Sequence, residues 1–225
     1  YRNDSVDIEA CGDATPTLGY DVGWLDAGDW MKYTVQSLPT GPYSLAARVA
    51  SGNGGGAFHI EVNGSNVTSS LSVPATGGWQ SWTTLQRPFT NALPATSYRV
   101  VVETGGFNLN WLQLASLLPG APSNLTASAT STQVNLLWPP VSGATSYRVK
   151  RSMSSGGNFT VIATGITGTT FADTNVTNGS FAYYVVSAVN AHGEGAPSPE
   201  AGAFIPFPLL AAQFASNQVV LIWSN

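Results

Sequence analysis

No stretch of this chain repeats its apolar residues with the period of an α-helix over a useful length. What recurs is a short alternating run, cut off by Gly, Pro, Asn or Ser. Tyr43–Val49, Phe58–Val62, Tyr98–Val102, Val134–Trp138, Tyr147–Lys150 and Ala182–Val189 are the clearest cases. Alternation places the apolar side chains of a strand on one face, which must then be covered by a second sheet. Many such strands separated by turn residues predict an all-β fold of the sandwich type. The chain has 225 residues, and domains run to roughly 100–150 residues, so two sandwiches in tandem are expected.

Composition narrows what those sandwiches can bind. Hydrophobic residues make up 43% and aromatics 11% of the chain, enough for packed cores, while charged residues are only 9%. The surface is therefore rich in hydroxyls and amides. Eight Lys and Arg spread over a chain of net charge −4 provide no basic stripe for phosphates, which excludes nucleic acid and disfavours polyanions. A neutral, hydroxyl-rich ligand suits such a surface. One cysteine, Cys11, allows no intrachain disulfide. No apolar run approaches the roughly 18–20 residues of a membrane helix, so no membrane partner is expected. Opening at Tyr1 without Met, the chain reads as an internal piece of a longer precursor.

Two prolines and a glycine in Pro119–Pro122 break the strand pattern, and Pro206–Pro208 breaks it again. The organisation expected is a first sandwich over residues 1–116, a linker over 117–121, a second sandwich over 122–203, and residues 204–225 leading into another domain. An internal repeat supports the last part. Asn124–Trp138 (NLTASATSTQVNLLW) and Leu209–Trp223 (LLAAQFASNQVVLIW) share a Leu, a Gln-Val pair and a terminal Trp at an offset of 85 residues. That offset is the length of one small sandwich.

Within residues 122–203, Pro122, Leu125, Ala127, Trp138, Tyr147-Arg148-Val149, Asp173, Asn178-Gly179 and Tyr183–Asn190 follow one another, then Gly193 and Pro197-Ser198. This order resembles a bacterial fibronectin type III domain, an immunoglobulin-like sandwich. Trp138 and Tyr147 are expected in its core. Where such domains carry a corner tyrosine this chain has Ala182, so that corner hydrogen bond should be missing. No binding constellation is visible here, and His192 falls in a turn, so the domain reads as a spacer.

Residues 1–116 put aromatics beside glycines in three patches: Gly19–Trp30 (GYDVGWLDAGDW), Thr76–Trp82 (TGGWQSW) and Gly105–Trp111 (GGFNLNW). A sugar ring offers a C–H face that stacks on an aromatic plane and a rim of hydroxyls that need partners. Trp79 after Gly77-Gly78, Trp24 between Gly23 and Asp26, and Asn108 beyond Gly105-Gly106 supply two flat walls and one amide. Trp30, Trp82 and Trp111 are expected in the core. Trp30, whose Met31–Val35 strand alternates, has one partly exposed alternative.

Together with Tyr1–Glu9 (YRNDSVDIE) and Gly54–Val67, these patches resemble the family 6 carbohydrate-binding modules, particularly those attached to agarases. The resemblance implies a jelly-roll-like sandwich that clamps a sugar between Trp79 and Trp24 on loops at one end, with Asn108 reading hydroxyls. Glu9 corresponds to a carboxylate that accepts from a hydroxyl. It also implies a strand before residue 1, supplied by upstream residues or a neighbouring chain. Relatives usually hold a structural calcium through carboxylates on the first and last strands. Here the last-strand position is Asn110, which leaves the acidic cluster Asp4–Asp13 as oxygen donors, so no cofactor is expected to be required.

Catalysis lacks its groups. Asp26 and Asp29 flank a turn glycine within a binding motif, His59 lies mid-strand, and no GxSxG motif or His pair is present. The function expected is non-catalytic binding of a neutral polysaccharide within a larger secreted or cell-surface carbohydrate-active protein. The alternative is a structural segment of an extracellular adhesin or filament, which an aromatic end packed against a neighbour would favour.

Overall fold

The computed structural model describes residues 7–13, 19–92, 94–208, 210–215 and 218–223. Its contacts divide the chain into two units, Tyr1–Leu117 and Leu118–Asn225, and the described residues form strands and no helix.

The first unit contains β1 (Asp7–Ala10), β2 (Tyr20–Gly23), β3 (Trp30–Leu38), β4 (Gly41–Ser51) and β5 (Gly56–Val62). These are followed by β6 (Ser65–Asn66), β7 (Leu71–Val73), β8 (Gly78–Asn91), β9 (Ala95–Thr104) and β10 (Asn108–Ser116). One antiparallel sheet runs β1-β2-β10-β4-β8, and the other runs β3-β9-β5 with β6 and β7 both on β5. Alternation decides which side chains face inward. On β5, Phe58, Ile60 and Val62 are buried while Ala57, His59 and Glu61 are only half-buried. On β4, Tyr43, Leu45, Ala47 and Val49 point into the same core.

That core contains no tryptophan, although five lie in this unit. Trp30, Trp82 and Trp111, expected inside, are half-buried instead. Strand geometry gives the reason for Trp111. A bulge between Leu109 and Trp111 shifts the register of β10 against β4, so Trp111 lies opposite the outward Arg48 and Leu112 opposite the buried Ala47. On the other sheet, the Arg99 guanidinium lies 4.6 Å from the centre of the Trp30 ring and covers it.

The second unit is a fibronectin type III-like sandwich. Its strands are β11 (Thr126–Ala129), β12 (Val134–Leu137), β13 (Ser146–Ser152), β14 (Thr160–Ile166) and β15 (Thr170–Asp173). β16 (Phe181–Asn190), β17 (Gly193–Pro197) and β18 (Ala201–Phe204) complete it. Sheet β11-β12-β15 packs on sheet β14-β13-β16, whose far edge is shared by β17 and β18. Trp138 and Tyr147 sit in the core with ring centres 5.4 Å apart, edge to face.

Beyond it, among the described residues, β19 (Leu210–Ala215) and β20 (Gln218–Trp223) pair only with each other. The sequence repeat is also a repeat of register. Thr126 faces Leu137 and Ala129 faces Val134, while 85 residues on Ala211 faces Ile222 and Phe214 faces Val219.

Ala182 has no hydroxyl to make the corner bond, and a void of about 100 Å³ lies beside it. The corner is tied differently. Arg151 bonds the Asp173 carboxylate at 2.7 Å and the Asn175 carbonyl, and the buried Tyr184 hydroxyl donates to Asp173 at 2.9 Å. Burial and then the neighbouring carboxylate push the Tyr184 hydroxyl well above its ordinary pKa, so it remains a donor. Tyr184→Phe should therefore cost about 1.5–3 kcal/mol, the usual value of a hydrogen bond to a charged group. Thermal unfolding checks this, and an unchanged midpoint would show that Arg151 and the Asn175 N–H hold Asp173 without Tyr184.

Candidate functional site

Four loops meet at one end of the first unit: residues 24–29 after β2, 52–55 after β4, 74–77 before β8 and 105–107 before β10. Ser51, fully buried at the end of β4, joins three of them. Its Oγ donates to the Gly106 carbonyl at 2.6 Å and accepts from Gly54 N–H at 2.9 Å, and its own N–H donates to Thr76 Oγ1 at 2.9 Å. The fourth loop closes over Gly105, where a Cβ would stand 2.1 Å from the Leu25 carbonyl, so only glycine fits. Loop 24–29 is itself fixed. Asp29 accepts from Asp26 N–H at 2.8 Å, and Gly28 and Asp29 bond β9 through Val102.

On this platform Trp24 and Trp79 are 62% and 48% exposed. Trp24 has φ +47°, a left-handed backbone that a bulky side chain enters only at a cost of about 1–3 kcal/mol. Trp79 is the second residue of β8, at the strand start rather than on the loop expected for it. Its ring lies against Gly52, where a Cβ would stand 3.1 Å from the indole nitrogen.

Between the rings is a depression of about 460 Å³ with Leu25 and Phe107 as its apolar lining and Glu9, Asp26 and Asn108 as its polar one. All four residues nominated by the sequence, Trp24, Trp79, Asn108 and Glu9, thus line one cavity. Asn108, 3% exposed, donates through Nδ2 to Glu9 Oε1 at 2.5 Å and to the Trp79 carbonyl at 3.1 Å. Both partners are acceptors, so the orientation of the amide is fixed and Oδ1 is the atom left open. Gln80 bridges behind it. Its Nε2 reaches Glu9 at 3.1 Å and Asp21 at 3.0 Å, and its Oε1 accepts from Gly12 N–H at 2.6 Å.

Ser51, Gln80 and Asp26 were not singled out as site residues from sequence. Asp26 carried a signal in VGWLDAGDW, whereas Ser51 and Gln80 act through partners far along the chain.

Among the described residues the donors do not suit the calcium that the family resemblance implies. Asp13 engages Arg48 with both oxygens, at 2.7 and 3.0 Å, and Asn110 turns its Nδ2 rather than its oxygen to Asp13 at 3.1 Å. Among the described residues no three His, Cys, Asp or Glu side chains converge. Asp4 lies outside the described residues.

The model of the "Carbohydrate binding module (family 6)" matches residues 1–116. The chain belongs to this family. It is a family of binding modules rather than of catalytic domains. Among curated proteins, an amylopullulanase of Thermoanaerobacterium saccharolyticum is 36% identical over 133 residues, which are 59% of this chain and 10% of that protein. The clotting factor G alpha subunit of Tachypleus tridentatus is 34% identical over 101 residues, 44% of this chain and 15% of the other. The chain thus spans a small part of the relatives it matches. Among solved structures, a family 6 module of Cellvibrio mixtus lichenase 5A, in complex with cellotriose, is 35% identical. It covers 50% of this chain and 88% of its own, with a TM-score of 0.45. A fibronectin type III-like protein of Clostridium thermocellum is 43% identical, covers 41% of this chain and 97% of its own, and has a TM-score of 0.36. Among the described residues no helix is long and apolar enough to cross a membrane.

Two outcomes follow for this end of the module. Burial, with Glu9 adding to it and Gln80 opposing, raises the Asp21 carboxyl above its usual pKa, and its Oδ1 is buried without a partner. The folded form therefore holds this proton more tightly than the unfolded chain does. Asp21 favours folding when protonated, and that contribution is lost as pH rises from the unfolded value through the folded one. Asp21→Asn should flatten this part of the stability–pH curve across the acidic range, as measured by chemical denaturation at stepped pH. Ser51→Ala should cost about 1–3 kcal/mol by orphaning Gly54 N–H. A melting curve identical to wild type would remove Ser51 from its linking role.

Proposed function

We propose that the first unit binds a neutral polysaccharide in the depression walled by Trp24 and Trp79, while the second unit serves as a spacer in a larger secreted carbohydrate-active protein. One observation carries this reading. The module keeps every tryptophan out of its core and holds Trp24 exposed on strained backbone beside an exposed Trp79. A folded domain gains nothing from that arrangement unless something stacks on the rings.

The chemistry fits a sugar. The rings take a pyranose C–H face, and Glu9, Asp26 and Asn108 Oδ1 accept from hydroxyls at its rim. Asn108 is fixed by Glu9 and Trp79, so the amide and one wall move as a unit and their ordering cost on binding is small.

Calorimetric titration of the chain against β-glucan, xylan, agarose and α-glucan oligosaccharides should give Kd values of about 10–100 μM for at least one class. Trp79→Ala and Trp24→Ala should each weaken binding at least tenfold, with the melting temperature nearly unchanged because neither ring is core. Absence of binding to all four classes, or full affinity in the Trp79→Ala variant, would falsify the assignment.

A further inference from the structure

The lining of the depression has one sign of charge. Among the described residues its two ionisable side chains are Glu9 and Asp26, and no Lys, Arg or His lines it. Arg48, which lies in the same sheet, is committed to Asp13 through both of that residue's oxygens. Both N–H bonds of the one amide are taken by Glu9 and the Trp79 carbonyl, so the atom it has left for a ligand is its oxygen. The remaining side-chain donors are the two indole N–H groups at the ring edges. The ring faces themselves carry the negative side of an aromatic quadrupole.

Asp26 is the exposed member of the pair. Its backbone N–H is held by the Asp29 carboxylate at 2.8 Å and its carbonyl accepts from Asp29 N–H at 3.1 Å, while its own carboxylate has no hydrogen-bond partner among the described residues. A charge held at a fixed point on the lining of a partly apolar cavity acts on a ligand charge with less screening than in open water.

Building on the sugar-binding reading above, we propose that Asp26, with Glu9 behind it, makes the clamp a charge filter. Among pyranosides of one shape it takes an amino sugar most tightly, a neutral sugar next, and turns away a uronate. Three independent features act in the same direction: the carboxylates attract an ammonium, the indole faces attract it, and the amide, its N–H bonds already taken, offers an acid no donor. The substrate class is thus extended from neutral glycans to those carrying free amino groups, and acidic glycans are excluded.

The test follows the indole N–H resonances of Trp24 and Trp79 in the 225-residue chain, assigned through Trp24→Phe and Trp79→Phe. The probes are methyl β-glycosides of glucosamine, glucose and glucuronate and their galacto counterparts. Titrations run at pH 6, where the sugar amine is protonated and the uronate ionised. At low salt the amino sugar should bind about three- to tenfold more tightly than the neutral one, and the uronate at least tenfold more weakly. In 1 M salt, where the screening length is about 3 Å, the three affinities should converge. Asp26→Asn and Glu9→Gln should each compress the ratio between amino and acidic sugars. Equal affinities at low salt, or a ratio untouched by Asp26→Asn, overturn the filter while leaving the clamp intact. If neither indole responds to any of the sugars, the clamp reading falls and takes the filter with it.

Discussion

The site depends on a backbone constraint before it depends on any aromatic ring. Four loops converge at one end of the first sandwich, and their amides and carbonyls need partners because close packing shuts out water. Ser51 resolves much of this with one hydroxyl and one amide, joining the loops at Gly54, Thr76 and Gly106. The approach of Gly105 to the Leu25 carbonyl closes the remaining side. Only a platform satisfied in this way can hold Trp24 in a left-handed conformation, since the strain must be offset by neighbours that leave the chain no alternative. The ring positions are therefore consequences of loop bonding, and the loop bonding is a consequence of where β4 and β10 end.

The polar half of the site is built on a second constraint, which is the crowding of carboxylates. Glu9 and Asp21 are directly opposed across β1 and β2, where like charges repel. Gln80 donates to both from a single nitrogen, and Asn108 adds a second donor to Glu9. These amides spend their N–H groups on holding the carboxylates together. What faces the cavity is consequently oxygen. The acceptor character of the rim is fixed by the interior, and Asp26 on its pinned loop adds to it.

The β-sandwich fold could be read from the chain because alternation is a local property. Runs such as FHIEV and YSLAARV state their inward face within five to seven residues. Trp24, Trp79 and Asn108 were legible as candidates for a related reason, since each sits in a short motif with glycine within two residues of it. Trp111 was misread because one unpaired residue, Asn110, turns its strand over, and no local pattern announces a bulge. Ser51 and Gln80 were invisible for a different reason. Nothing distinguishes them from other serines and glutamines until Ser51 meets Gly106 and Gln80 meets Glu9. The compensation at Ala182 belongs with them. The missing tyrosine was visible as a gap in a motif, but its replacement is a network of Arg151, Asp173 and Tyr184 drawn from three strands.

The two units handle tryptophan in opposite ways, and the contrast bears on function. In the second, Trp138 is fully buried and carries the core with Tyr147. In the first, the core is filled by Phe58, Phe107, Leu25, Tyr43 and Phe89, and of its five tryptophans three are half-buried and two, Trp24 and Trp79, are exposed. Both sandwiches need bulky apolar side chains to separate their sheets, so the difference is not set by the architecture. A large aromatic left at the surface forgoes the roughly 1.5–3 kcal/mol that full burial gives a side chain even of Phe size. The first unit accepts that loss at Trp24 and Trp79 and adds backbone strain at Trp24. Among the described residues, backbone strain and forgone burial fall on the same tryptophan only at Trp24, beside the cavity that Glu9, Asp26 and Asn108 line. A ligand with one apolar face and a rim of hydrogen-bond donors is the kind of molecule that can return both.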